Sequence, residues 1–185
     1  RGTGSSTSSA KHKNLKSVMF FRNTKERKRM IFMERRDKIN YYLDIAQTVL
    51  ERSTCLRRKY GAIIVKNDTI VSTGYNGAPR GRVNCSDLGY CMRDKLGIPR
   101  GERYEMCRSI HAEQNAILNA RGKSLEGCRI YVNLFPCHEC ARNIIQSGIK
   151  EVYYIVDKYA DTDSIKASKY MFEKAKIKLV QLQPE

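Results

Sequence analysis

The sequence predicts an α/β fold in which a mixed sheet of about five strands lies between two layers of helices. Strand-like and helix-like segments alternate along the second half of the chain, which is typical of such layered folds. A hairpin pattern in the first half supplies two further strands. With 185 residues, of which 41% are hydrophobic, the chain can bury one sizeable core, so a single folded domain is expected.

The first elements are a helix and a hairpin. Apolar residues recur at helical spacing from Arg36 to Glu51, which predicts a helix. The stretch YGAIIVKNDTIVSTGYNG then predicts two strands joined by a tight KND turn. Residues 75–107 are rich in Gly, Cys, Arg and Pro and show no clear period. A connection of this length is typically functional or held together by a metal.

Helices and strands alternate after this connection. The segment from His111 to Ala120 predicts a helix, CRIYVNLF a strand, and CHECARNIIQSG a helix that ends at Gly148. EVYYIV predicts a strand, DSIKASKYMFEKAK a helix, and IKLVQL the last strand.

The positive charge is concentrated at the N-terminus. Residues 1–32 contain nine Lys or Arg and one acidic residue, so they carry half of the net charge of +16. Their composition predicts a disordered basic arm or a cloning remnant, and we place the functional domain at residues 33–185. A basic arm can also attract nucleic-acid phosphates, and this alternative remains open.

Cysteine usage indicates the cellular compartment. The sequence contains seven cysteines and no secretory signal, which favours free thiols and metal ligands over disulfides. No apolar run approaches the 18 residues that a membrane span needs. We therefore expect a soluble, cytoplasmic protein.

Two short motifs together predict a catalytic metal centre. His111 and Glu113 lie at the start of one predicted helix, and Cys137 and Cys140 at the start of another. Histidine and cysteine suit Zn²⁺, and helix N-termini favour thiolates. Three protein ligands leave a fourth tetrahedral position for water, which is typical of catalytic zinc. Glu113, which is not a ligand, is then placed to accept and relay a proton.

The chain resembles the deoxycytidylate (dCMP) deaminase family, including its bacterial late-competence-type homologues. The stretches that carry the resemblance are STGYNGAPRG, RYEMCRSIHAEQNAI and PCHECARNIIQSGIKEVYY. The order His-x-Glu followed by Pro-Cys-x-x-Cys is the signature of zinc nucleobase deaminases. The resemblance implies the three-layer cytidine-deaminase-like fold and zinc-dependent hydrolysis of dCMP to dUMP and ammonia, a step in pyrimidine metabolism that supplies dTTP. It also implies a homo-oligomer, commonly a hexamer, with dCTP and dTTP as effectors.

The resemblance also assigns roles to individual residues. His111, Cys137 and Cys140 would hold zinc, and Glu113 would be the proton shuttle. Asn76 and Tyr159 would contact the nucleoside and its pyrimidine. Arg121 is a candidate for the 5′-phosphate, as are Arg80 and Arg82.

Four further cysteines predict a second, structural zinc near the long connection: Cys55, Cys85, Cys91 and Cys107. Family members with a second zinc match Cys55 and Cys85 but differ at the other two positions. The alternative is that these are buried free thiols, which behave as small apolar residues. Cys128, at the start of a strand, is expected to be a core residue.

Other functions remain as alternatives. The substrate could be another cytosine nucleotide or single-stranded nucleic acid, although nucleic acid is not the expected partner. A third hypothesis is a non-catalytic binding module that is stabilised by zinc. Such a module would require neither Glu113 nor an open coordination position.

Overall fold

The structure is a computed structural model that describes residues 35–99 and 102–183. The prediction of a basic arm over residues 1–32 lies outside these residues. No described helix is long and apolar enough to cross a membrane.

The predicted order of helices and strands is confirmed, with small differences at the ends. The helices are α1 (Lys38–Leu50), α2 (Cys85–Leu88), α3 (Met92–Lys95), α4 (Ala112–Asn119), α5 (His138–Gln146) and α6 (Asp163–Lys174), with a 3₁₀ turn at Tyr104–Met106. The strands are β1 (Gly61–Lys66), β2 (Thr69–Tyr75), β3 (Arg129–Leu134), β4 (Glu151–Val156) and β5 (Lys178–Gln181). In its described residues the long connection has α2, α3 and the 3₁₀ turn, because its glycines and prolines interrupt any longer helix.

One mixed sheet organises the fold, with strand order β2-β1-β3-β4-β5. Strand β1 is antiparallel to both β2 and β3, whereas β3, β4 and β5 are parallel. The hairpin turn uses Asn67 and Asp68, both with positive φ, as a tight two-residue hairpin requires.

Side chains alternate between two cores, one on each face of the sheet. Ile64, Ile130 and Val152 pack beneath α4, α5 and α6, and Ile63, Tyr131 and Tyr153 pack beneath α1. The rings of Tyr131 and Tyr153 stack with centroids 4.6 Å apart. The fold is therefore the three-layer arrangement that the sequence predicted.

Helix α4 lies unusually close to strand β2. A Cβ atom added at Gly74 would lie 2.2 Å from the Ala116 backbone nitrogen and 2.3 Å from the Ala112 carbonyl oxygen. Three side chains also tie the two elements together. Ser72 Oγ donates to the Ala116 carbonyl at 2.7 Å. Asn115 and Asn119 donate to the Tyr75 and Thr73 carbonyls at 2.7 and 2.8 Å.

Replacing Gly74 with alanine should therefore disrupt this contact. We expect Gly74→Ala to lower the free energy of unfolding by about 3 kcal/mol, the upper end of the usual overpacking cost, because backbone atoms cannot move aside as side chains do. Thr73→Ala, at an exposed side chain of the same strand, is the matched control and should change little. Urea denaturation measures both variants. Equal stability for Gly74→Ala and the parent would contradict the close packing.

Candidate active site

The candidate site lies at one edge of the sheet, where three chain segments meet. The parallel strands β3 and β4 both end there, leading into Pro136 and Asp157 respectively. Strand β1, antiparallel to β3, begins at the same edge, and the Gly61 N–H donates to Asn133 Oδ1 at 2.8 Å. Residues far apart in sequence are therefore brought together by the order and direction of the strands.

Both ligand motifs sit at the start of a helix, as the sequence predicted. His111 is the N-cap of α4, and its N–H donates to Gln114 Oε1 at 3.2 Å. Cys137 is the N-cap of α5, and its carbonyl accepts the Ala141 N–H at 2.8 Å. The N-termini of both helices thus lie at the same small region.

The structure brings the three predicted zinc ligands together. His111 Nδ1 lies 3.3 Å from Cys140 Sγ and 3.5 Å from Cys137 Sγ. Tetrahedral ligands at ordinary zinc bond lengths are about 3.5–3.8 Å apart, so the spacing fits this ion. Within the described part of the chain, this is the group of histidine, cysteine or acidic residues whose ligand atoms all lie within 4.8 Å of one another.

Charge in this group is concentrated on Cys137 and His111. Hydrogen bonds from Cys140 and from His111 lower the pKa of the Cys137 thiol to about 3, against the opposing effect of burial. The hydrogen bond to Cys137 in turn raises the pKa of His111 to about 9. The pair is therefore a thiolate beside an imidazolium at neutral pH, and a metal that binds here must displace the proton of His111.

Cys140 and Glu113 hold protons more tightly than usual. The neighbouring Cys137 thiolate and burial raise the pKa of Cys140. Desolvation raises the pKa of the Glu113 carboxyl, while the charge of His111 partly opposes this shift. A carboxyl with a raised pKa can both accept and donate a proton near neutral pH, as a general acid–base group must.

A basic cavity of about 380 Å³ opens at the same sheet edge. It is lined by Arg57, Arg58, Lys59, Tyr60, Asn133, Leu134, Val156, Lys158 and Tyr159. Burial raises the pKa of Tyr60 to about 12, with smaller contributions from Tyr159, Tyr104 and Glu113. The Asn76 N–H donates to the Tyr60 carbonyl at 3.3 Å and the Gly77 N–H donates to the Ile110 carbonyl at 3.3 Å, so hydrogen-bonded backbone connects the cavity to the residue before His111. Arg58, Lys59 and Lys158 form no salt bridge with any other described residue, so they can serve an anionic ligand.

Asn76 braces the wall of this cavity. Its side chain, only 5% exposed, accepts the Tyr60 N–H at 2.8 Å and the Ser53 hydroxyl at 2.6 Å. Its amide donates to the Arg58 carbonyl at 2.8 Å. The nucleoside contact predicted for Asn76 stays a prediction, whereas its role in holding residues 53–60 is visible in the structure.

Two of the arginines predicted for the 5′-phosphate, Arg121 and Arg80, lie near the C-terminal end of α4, and their role stays a prediction. Arg121 follows the C-terminal end of α4, whereas His111 caps its N-terminal end. An eight-residue helix spans about 12 Å, so this single chain does not bring Arg121 to the metal group. The Arg80 guanidinium donates a hydrogen bond to Asn119 Oδ1 at 2.7 Å. Tyr159, in contrast, lines the basic cavity.

The four cysteines of the predicted second zinc share one neighbourhood. Cys85 and Cys91 are buried, and Cys55 and Cys107 are half-buried. Burial raises the pKa of Cys85, with smaller contributions from the other three thiols. The Ser86 N–H donates to the Thr54 carbonyl at 3.2 Å, which brings the neighbours of Cys85 and Cys55 together. Within the described residues they do not form a group with ligand atoms inside 4.8 Å, so the second zinc stays a prediction. All seven cysteines are free, and Cys128 is fully buried.

Sequence reasoning missed several residues at the site. The basic residues that line the cavity form no periodic pattern in the sequence. They lie on two loops that are far apart in the chain and are brought together by the sheet. Tyr104 was also missed. Its ring centroid lies 6.4 Å from that of His111, and the Arg93 guanidinium carbon lies 4.3 Å from the Tyr104 ring centroid.

A three-layer sheet fold with a His-Cys-Cys group and a nearby carboxyl defines a zinc-dependent deaminase. The family model for the cytidine and deoxycytidylate deaminase zinc-binding region matches residues 36–156. The chain belongs to this family.

Relatives with curated names support the same family assignment. The chain is 43% identical over 138 residues to a probable deoxycytidylate deaminase of Drosophila melanogaster, covering 72% of this chain and 66% of that protein. It is 40% identical over 127 residues to ComE operon protein 2 of Bacillus subtilis, covering 68% and 62%. The matches thus span about two thirds or less of these curated relatives. A dCMP deaminase from cyanophage S-TIM5, solved in complex with dCMP and dUMP, superimposes with a TM-score of 0.60 at 30% identity, covering 77% of this chain and 94% of that one.

Proposed function

We propose that this chain catalyses the hydrolytic deamination of dCMP to dUMP, with release of ammonia. The observation that carries the proposal is the position of Glu113 and the three zinc ligands beside a basic cavity at one sheet edge. The relative solved with dCMP and dUMP supports the same substrate and product.

In this proposal the three ligands and Glu113 divide the chemistry between them. His111, Cys137 and Cys140 would hold zinc, which would supply a nucleophile at neutral pH by lowering the pKa of a coordinated water towards neutrality. The Glu113 carboxylate accepts the proton of the attacking water and passes it to N3 of the pyrimidine. As the tetrahedral carbon at C4 collapses to the carbonyl, the Glu113 carboxylate takes the remaining proton from the C4 hydroxyl and delivers it to the amino group, which leaves as ammonia. Desolvation of Glu113 keeps its proton affinity high enough for both transfers.

Glu113→Gln tests this assignment. The variant keeps the size and hydrogen-bonding of the side chain but cannot carry the proton, so kcat should fall at least about 10²-fold. Zinc content should remain that of the parent, because Glu113 is not a ligand. We expect Gln114→Glu, which adds a carboxyl one residue away, not to restore activity in the Glu113→Gln background. Turnover near that of the parent would contradict the mechanism.

The basic cavity favours a nucleotide over a nucleoside. Arg58, Lys59 and Lys158 are cations without acidic partners among the described residues, and Tyr60 and Tyr159 offer aromatic surface beside them. A 5′-phosphate at these cations and a pyrimidine against Tyr159 would direct C4 towards the zinc ligands. This arrangement assigns the phosphate contact to the cavity and not to Arg121.

We therefore expect Lys158→Ala and Arg58→Ala to lower kcat/KM for dCMP about 10- to 100-fold, since hydrogen bonds to charged groups contribute about 1.5–3 kcal/mol. Activity on deoxycytidine, which lacks the phosphate, should change little. Lys166→Ala removes an exposed lysine from α6 and is the matched control. Ammonia release from dCMP, dCTP, deoxycytidine and a cytosine-containing oligonucleotide measures all variants. Salt-sensitive activity on the oligonucleotide alone would favour the nucleic-acid alternative.

We also propose a structural zinc held by Cys55, Cys85, Cys91 and Cys107. It is supported by the neighbourhood of the four free thiols around Cys85 and by their position on the long connection. Four thiolates that close around one ion would stabilise a segment with little secondary structure of its own.

Metal analysis separates the two sites. We expect two zinc ions per chain, of which His111→Ala removes one and Cys85→Ala the other. Cys128→Ala, at a buried cysteine outside both groups, should retain both. One zinc per chain in the parent would overturn the structural site and leave the catalytic one intact.

The oligomeric state and the effectors of the enzyme are proposed from the same family resemblance. We propose a homo-oligomer, with a hexamer favoured, and regulation by dCTP and dTTP. A cytoplasmic location is supported by the seven free cysteines, which suit a reducing compartment. The domain boundary at residue 33 remains part of this proposal.

A further inference from the structure

We infer that helix α6 is a brace for the metal centre, and that Ser164 and Ser168 are positioning residues for the zinc ligand Cys137. Neither serine is in contact with the group of three ligand atoms. Both bind the short segment that carries Cys137, one on each side of it. The inference rests on the zinc-binding character of the family and on no particular substrate.

Ser168 holds the residue before Cys137. Its side chain is fully buried, and its hydroxyl donates to the Pro136 carbonyl at 2.8 Å. Immediately upstream, the Phe135 N–H donates to the Val156 carbonyl at 2.8 Å. Proline has no N–H, so its carbonyl is the one backbone group through which residue 136 can be hydrogen-bonded. Loss of the Ser168 hydroxyl would leave a buried carbonyl without this donor.

Ser164 holds the residue after Cys137. Its hydroxyl oxygen accepts the His138 N–H at 3.4 Å and lies 2.8 Å from His138 Nδ1. The His138 ring is thereby held against Ser164 of α6. Ser164 also satisfies a backbone N–H in the first turn of α5, which has no partner within its own helix.

The two serines belong to one stripe of α6. Ser164, Ser168 and Phe172 are spaced four residues apart, so they lie on the same helix face. The ring of Phe172 packs edge-on against Phe135, with centroids 6.0 Å apart. One face of α6 is thus in contact with Phe135, Pro136 and His138, the residues that surround Cys137.

This stripe should control how long zinc stays bound. The anchored backbone at Pro136 and His138 would keep the Cys137 thiolate within reach of a bound zinc ion. Residues that orient metal ligands without binding the metal typically change metal affinity 10- to 100-fold when they are mutated. The same helix also fixes the loop that carries Lys158 and Tyr159, because the Thr162 N–H donates to the Tyr159 carbonyl at 3.0 Å.

Zinc release tests the inference without any substrate. The zinc-loaded full chain is mixed with a chromophoric chelator, and the rate of zinc transfer is followed for Ser164→Ala, Ser168→Ala and the parent. We expect roughly 10- to 100-fold faster transfer from the catalytic site in both variants. Cys85→Ala serves as the common background, so that the proposed structural zinc does not contribute to the signal.

Ser147→Ala is the matched control. Ser147 is half-buried like Ser164, and its hydroxyl donates to the Ile144 carbonyl at 2.8 Å, at the opposite end of α5. This variant should release zinc at the parental rate. The cobalt-substituted proteins provide a second readout, because the thiolate–cobalt absorption bands should shift in the Ser164 and Ser168 variants and not in the control. Ser164→Thr, which keeps the hydroxyl, should restore both the rate and the spectrum.

Two results would overturn the inference. One is parental release rates and cobalt spectra in both α6 variants. The other is equal acceleration in all three alanine variants, which would indicate general loss of stability. If Ser168→Ala does not fold, the comparison of Ser164→Ala with Ser164→Thr tests the inference. The zinc-release assay uses no substrate, so a negative result would not contradict the proposal that the chain deaminates dCMP. Conversely, the release rates can be interpreted even if the chain does not act on dCMP.

Discussion

The fold depends on a polar cluster that would be costly to bury without charge compensation. Two thiols and an imidazole lie within hydrogen-bond distance of one another at the starts of α4 and α5. An isolated charge in such a place is unfavourable, but the Cys137 thiolate is stabilised by the neighbouring imidazolium and by the N-terminus of its helix. Zinc satisfies the same three ligands together. Every element around the site therefore has to hold two helix starts in one position.

The sheet brings together most of the segments that surround the site. Strand β1 runs against β3 and β4 runs with it, so one strand start and two strand ends meet at the same edge. Helix α4 is fixed from the other side by the close approach of Gly74 and by the side chains of Ser72, Asn115 and Asn119. Helix α5 is fixed by α6. The ligand group is thus held by packing on two independent sides, and this supports the brace that we infer for Ser164 and Ser168.

The electrostatic contrast within the site is as important as its shape. Cys137 is held in its charged form and Glu113 is pushed towards its neutral form, although both lie close to His111. The thiolate is the form that binds a metal, and a carboxyl with high proton affinity is the form that can shuttle protons. The cavity beside them carries cations and tyrosines, which suits an anionic, aromatic ligand. Under the proposed function, one edge of the sheet would combine metal binding, proton transfer and recognition of a nucleotide.

The sequence by itself determined the order of helices and strands, and it predicted His111, Cys137 and Cys140 as one group of metal ligands with Glu113 beside them. Those features depend on local spacing, on periodicity within a segment and on the few residue types that bind zinc, all of which are visible in a linear sequence. Only the tertiary structure decided that Arg121 lies at the far end of α4, that Asn76 braces residues 53–60, and that Arg58, Lys59 and Lys158 share one cavity. It also decided that two serines of α6 flank Cys137. These relations join residues separated by up to about 100 positions, and they follow from strand direction and helix packing, which no local pattern specifies.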